Sequence, residues 1–216
     1  MGARVATNVK LELQSTLGAA SNAATILTLA NPGVVTINAH GFSDGDYLIC
    51  TSTDGMVELD GQMVRVDNST TNTFELEGLD TSSFTALASG ATAFAKITAF
   101  TTLSNATNMT MPDGSPAKLD ATRLISKRKE YLFGLPDAPD GSINTLYDPS
   151  ITAVAKVKAA TLANTTLGMR VTWSNGYKTI FNAYVSGGQG FEASQNQVVT
   201  ANIAFTPVGQ LLEFTS

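Results

Sequence analysis

The sequence predicts a mainly β protein with one α-helix and a small β unit inserted near the N-terminus. Three observations lead there. Thr supplies 29 of the 216 residues, beside many Ala, Asn, Ser and Gly. Thr favours strands, whereas Asn and Gly favour turns. Charged residues make up only 14% of the chain, and Lys and Glu, the usual residues of helix surfaces, are scarce. Short apolar-rich runs alternate with Gly- or Asn-containing turns along most of the chain.

Charge divides the chain. Residues 30–97 hold nine acids against two bases, Arg65 and Lys96, whereas residues 98–216 hold eight acids and nine bases. Such a shift marks a boundary. Two Thr/Ala/Ser-rich stretches, TLGAASNAATIL and TALASGATAFAK, bracket the acidic segment. Residues 30–97 are therefore read as a small acidic, barrel-like β domain. It interrupts a larger domain made of 1–29 and 98–216, which opens with a flexible leader. Within the insertion, strands are expected at 34–39, 46–52, 62–69, 73–79 and 94–100. The turns His40-Gly41, Ser43-Asp44-Gly45 and Asp60-Gly61 punctuate them.

The segment 119–135, LDATRLISKRKEYLFGL, admits two readings. Leu124, Tyr131 and Leu132 mark a helix face with Lys127, Arg128 and Lys129 on its solvent side. Alternatively, Thr and Ser near its start favour a strand leaving the core. PDAPDGS at 136–142 is a loop. Asp148-Pro149-Ser150 then precedes an Ala-rich helix over 150–164, with Ile151, Val154, Val157 and Leu162 on one face, although AVAKVKA also alternates as a strand would. The closing meander comprises 168–176, the Asn175-Gly176 hairpin turn, 177–188 and 197–209, with QLLEFTS as a short final strand. Trp173 and Phe181 are expected to meet across that hairpin as aromatic core.

The balance of 18 acidic and 13 basic residues gives a net charge of -5, and 43% of residues are hydrophobic. That combination excludes a disordered chain. No apolar run approaches the roughly 18 residues of a membrane-spanning helix. MGARVATNVKLELQ lacks the apolar centre of a secretory signal, so none is expected. The single cysteine, Cys50, cannot form an internal disulfide, and it fits as a small buried hydrophobe made in a reducing compartment.

The chemistry-bearing residues are few. His40 is the only histidine, so no His/Cys zinc cage can be assembled, and the residue reads as a turn element. SDGD, STDG and DGQM lack the spaced pattern of a calcium loop and read as Asx turns. SGGQG lacks the Lys-Ser/Thr of a phosphate loop. SKRKEY is the one basic run. It is too short for a nucleic-acid site in an acidic chain and suits a solvated surface or an intersubunit ion pair. No catalytic residue, cofactor or metal is expected. Strands with open edges need covering, and identical neighbours can supply that cover.

Four segments in order carry a resemblance: RKEYLFGL with its Asp/Gly loop, YDPSI before the Ala-rich helix, GMRVTWSNGYKTIFNAYVSG, and NQVVTANIAFTPVGQ. Together they resemble the tail tube, or major tail, proteins of long-tailed non-contractile phages. ANPGVVTINAHGFSDGDYL, GMVELDGQMVRVDNSTTNTFEL and EGLDTSSFTA look like a small β domain that recurs in phage structural proteins. That domain was first named as the first catalytic cysteine half-domain of ubiquitin-activating enzymes. The likeness implies a fold and no ubiquitin chemistry.

The resemblance implies a tail-tube-like β-sandwich or half-barrel with one flanking α-helix. It implies a homo-hexameric ring whose inner sheets join into one barrel, and rings stacked head to tail around a tape-measure protein. Tail terminator and distal tail proteins would close the ends, and DNA would transit without specific binding. No membrane insertion is implied. The location would be the virion tail, assembled in the host cytoplasm. Lys127, Arg128, Lys129, Asp137, Asp140 and Tyr147 are the subunit-interface candidates. The leader, 2–15, is expected to order on stacking, and the insertion to project outside the tube. A tail terminator or distal tail ring shares this plan; an extracellular binding module is the remaining alternative.

Overall fold

The computed structural model describes residues 8–52, 55–87, 92–114, 116–125, 127–136 and 139–215. The strands in chain order are β1 (Lys10–Ala20), β2 (Ile26–Leu27), β3 (Val34–Thr36), β4 (Tyr47–Ser52), β5 (Met63–Asp67), β6 (Thr73–Leu76) and β7 (Thr92–Thr102). They continue with β8 (Ala106–Thr110), β9 (Pro116–Asp120), β10 (Tyr131–Pro136) and β11 (Gly141–Leu146). Helix α1 (Thr152–Ala163) precedes β12 (Thr166–Thr172), β13 (Lys178–Ser186) and β14 (Thr200–Phe214). Twelve strands form one sheet in the order β2-β3-β6-β5-β4-β7-β1-β12-β13-β14-β11-β8, with antiparallel pairing throughout. The sheet curls into a half-barrel flanked by α1. No helix among the described residues is long and apolar enough to cross a membrane.

Strand alternation places two cores on opposite faces of this sheet. Phe181, Ala183 and Val185 of β13 pack with Ile203 and Phe205 and with Ala153, Val154, Val157 and Ala160 of α1. Ile180 of β13, with Leu212 and Phe214 of β14, packs instead among Leu48, Met63, Phe74 and Phe94 of the acidic segment. The helix is set up by an Asx turn: Asp148 Oδ1 accepts from the Ser150 N–H (2.9 Å) and hydroxyl (2.6 Å). Neither residue caps the helix, because Ile151 occupies the N-cap position. Leu162 was expected on the buried face but is 68% exposed. Small Ala153 and Ala160 take the sheet-facing positions and let α1 approach closely.

The acidic segment is tied to the wall by buried polar contacts. Gln62, 1% exposed, donates from Nε2 to the Gln210 carbonyl (2.8 Å) and accepts from the Gln210 N–H through Oε1 (2.6 Å). Asn182 Nδ2 donates to the Gly61 carbonyl at 2.8 Å. This approach needs two glycines. Gly61 has φ +71°, and a Cβ there would lie 2.8 Å from Val208 Cγ1; Gly209 has φ +74°, and its Cβ would strike Gln62 Oε1. At Gly209 the pairing of β14 with β13 shifts register between Ile180 and Asn182, so the strand bends without ending. QLLEFTS is therefore mostly the second half of β14, not a separate strand.

Residues 10–15, part of the expected leader, lie in the middle of the sheet. β1 pairs with β12 on one side and β7 on the other, and Leu11 and Leu13 are buried. The charges of this strand are satisfied in place. Glu12 takes an ion pair from Arg170 (2.7 Å) and one from Lys10 (2.7 Å). The Arg170 guanidinium lies over the Phe100 ring (4.1 Å) and the Tyr47 ring (5.1 Å). Burial pushes the Glu12 carboxyl up, but Lys10 and Arg170 outweigh it and hold it below its ordinary value.

Candidate subunit interface

The segment 119–135 is neither one helix nor one strand. β9 and β10 form a hairpin that, among the described residues, pairs only with itself, in the register Tyr131↔Asp120, Leu132↔Leu119 and Phe133↔Lys118. Alternation gives it two different faces: Leu119 and Leu132 on one, Lys118, Asp120, Tyr131 and Phe133 on the other. Both faces are open, with Leu132 62% and Phe133 67% exposed. A lone two-stranded ribbon is at best marginal in water. At its turn, Asp120 Oδ1 accepts from the Thr122 N–H at 2.9 Å, and the hydrogen bonds from Thr122 hold that carboxyl below its ordinary value. Arg123 pairs with Glu130 at 3.7 Å.

Lys127, Arg128 and Lys129 lie in the exposed connection between β9 and β10. The other candidates sit elsewhere, at the two ends of β11. Asp140 is exposed and accepts from the Thr206 hydroxyl at 2.6 Å. Tyr147 donates its N–H to the Val199 carbonyl (2.9 Å), and its ring lies 5.0 Å from that of Phe191. Asp137 lies outside the described residues. The five described candidates thus belong to two sites, a basic arm and the rim of a sheet face.

That sheet face is built by register. Asn108, Asn144 and Asn202 stand side by side on β8, β11 and β14, and Asn202 Nδ2 donates to Asn144 Oδ1 at 3.1 Å. The next row is Thr110, Ser142, Ala204 and Ser186. Tyr184 and Thr206 follow. Along these rows the outward positions of β8, β11, β13 and β14 carry amides, hydroxyls and small groups, and no charge. β8 and β2 are the outermost strands of the sheet, so each leaves one edge of backbone donors and acceptors without a strand partner among the described residues.

The chemistry-bearing residues of the insertion are occupied structurally. His40 Nδ1 accepts from the Phe42 N–H at 3.0 Å, and its ring packs against Phe42 and Phe74. Asp44 accepts from the Ser69 N–H (2.7 Å), and Asp46 from the Ser43 N–H (2.9 Å) and Lys96 (2.7 Å). Cys50 is 1% exposed, and burial pushes its thiol far up, against any nucleophilic role. Among the described residues no group of three or more His, Cys, Asp or Glu gathers as a metal cluster. Trp173 does not oppose Phe181, whose cross-strand partner is Met169; the Trp173 indole donates to the Thr179 hydroxyl at 2.8 Å. Sequence reasoning missed the two-faced arm because its apolar residues, spaced across a ten-residue connection, fit no single period.

Strand edges without a partner among the described residues, an arm exposed on both faces and a sheet face of amides and hydroxyls suit a structural assembly subunit. Residues 54–214 match the family model of phage tail tube proteins, and the chain belongs to that family. Among solved structures it is similar to the tail of an empty gene transfer agent particle, refined helically with C6 symmetry. The identity is 13%, over 54% of this chain and 87% of that one, with a TM-score of 0.41. It is also similar to the SPP1 tail tube, at 11% identity over 55% of this chain and 70% of that one, with a TM-score of 0.42. The virion of the native gene transfer agent gives 15% identity over 53% and 88%, with a TM-score of 0.41. No curated protein sequence matches the chain.

Proposed function

We propose that this chain is the repeating subunit of a phage tail tube, closing into hexameric rings that stack into the conduit through which DNA leaves the particle. The carrying observation is membership of the tail tube family over residues 54–214, in a chain whose sheet ends in open strands. Neighbouring copies complete the edges of the sheet. The β9–β10 arm, with Lys127, Arg128 and Lys129, reaches an adjacent subunit or ring. Asp140 and Tyr147, with Asp137 nearby in sequence, border the contact around β11.

The uncharged rows from Asn108 to Ser186 face the lumen. A wall without Lys or Arg along those rows holds no phosphates, so DNA passes without specific binding. A tape-measure protein fills the lumen before ejection, and terminator and distal tail proteins close the ends. The acidic unit, with the small-domain fold met in ubiquitin-activating enzymes, lies outside the bore. Its net negative charge discourages lateral clumping. It packs on the same face of β13 as the uncharged rows, at the opposite end, around Ile180. Its exterior position therefore requires β13 and β14 to tilt, carrying their Ile180–Leu212 end away from the lumen.

Sedimentation velocity on purified protein over a concentration series tests the reading. A tube subunit gives polymers of increasing size. A distribution that stops at one ring size would assign a terminator or distal ring instead.

A further inference from the structure

On the α1 side of the sheet, β8, the start of β1, the β12–β13 hairpin and the second half of β14 enclose a groove of about 570 Å³. Its apolar lining includes Val9, Met109, Met111, Trp173 and Leu211, and among the described residues that line it Glu213 is the one that carries a charge. Glu213 is exposed and has no ion-pair partner among the described residues. The β9–β10 arm carries the complement. Phe133 and Lys118 stand directly opposite each other on one face, an aromatic ring beside one cation. Lys118 is likewise exposed and without an ion pair among the described residues.

We propose that the Phe133/Lys118 face of the arm docks in this groove on a second copy of the chain. Phe133 then meets the thioethers of Met109 and Met111 and the Trp173 ring, and Lys118 pairs with Glu213. The proposal rests on the tube-subunit reading and names the receiving surface for the arm. Three observations select a second copy as the occupant. Phe133 is 67% exposed, so it fills no groove on its own subunit. Residues 116–136 hold five bases and two acids, whereas the rest of the chain holds eight bases and 16 acids, so the arm is attracted to other copies and not to other arms. Thioether–aromatic and aromatic–aromatic contacts are well suited to a methionine- and tryptophan-lined groove.

The test is cysteine cross-linking in the full chain. Cys50 is buried and does not compete. Tyr131→Cys, on the same face of the arm and leaving Phe133 and Lys118 in place, with Leu211→Cys, concentrated and mildly oxidised, should give a ladder of covalent multimers on a non-reducing gel; either substitution alone should stop at dimers. An internal disulfide confined to monomers would place the arm in its own groove and overturn the proposal. Absence of a ladder in samples that still form tubes would overturn it while leaving the tube reading intact, and absence of any polymer from the unmodified chain would sink both. Charge exchange supplies the second arm. Lys118→Glu and Glu213→Lys should each lower the yield of pelleted polymer with an unchanged melting temperature, and the double exchange should restore it. A double variant no better than the singles would contradict the pairing.

Discussion

Gln62 joins the acidic segment to the wall through both hydrogen-bonding groups of one backbone unit, Gln210. Gln62→Leu keeps the volume and removes both partners. The expected loss is about 1–3 kcal/mol, seen as a lower urea midpoint with an unchanged slope. Glu12 supplies a pH signature. Its folded-state pKa is depressed, so its contribution to stability is complete above the ordinary value of 4.5 and fades as pH falls through the lower folded value. Glu12→Gln should flatten that part of the acid limb in a series of melting temperatures against pH. Neither residue was legible as structural from the sequence. A charge reads as solvated unless its partner is known, and Arg170 lies 158 residues away from Glu12. His40 and Cys50 were legible, because a lone histidine in a turn and a cysteine in an apolar strand have few other uses.

Among the elements, the hairpin β9–β10 separates assembly from folding. Phe133 is exposed and outside both cores. Phe133→Ser should leave thermal stability within about 0.5 kcal/mol of the parent, as expected for a surface site. It should nevertheless reduce polymer formation measured by light scattering. A large fall in stability would mean that the arm packs on its own subunit. The five strands expected in the acidic segment, and the helix and the strands up to residue 209 in the closing half, correspond to observed elements, because turn residues bound them clearly. β1 escaped notice because Lys10, Glu12 and Gln14 interrupt its apolar positions, and Gly18 with two alanines follows. The bend at Gly209 likewise reads as a strand end, since a bulge and a turn both use a glycine at positive φ.

Taken as a whole, the molecule is one twelve-stranded sheet with a core on each face, and the β9–β10 hairpin forms a second sheet apart from it. The acidic segment shares Ile180, Leu212 and Phe214 with the wall, and β7 runs from Thr92 to Thr102 across the change in charge composition. Charge composition records what solvent touches, and it carries no information on which strands share a core. Replacing residues 30–97 by a short linker should therefore expose the Ile180–Leu212–Phe214 surface and cut β7. The remaining chain should lose its cooperative thermal transition, not merely its surface charge. A fully cooperative, soluble deletion variant would show the two regions to be energetically independent.

Electron microscopy of the purified, concentrated chain in negative stain tests the central claim most directly. The account predicts stacked rings that lengthen into hollow tubes. Isolated monomers at every concentration, with no annular particle, would contradict it.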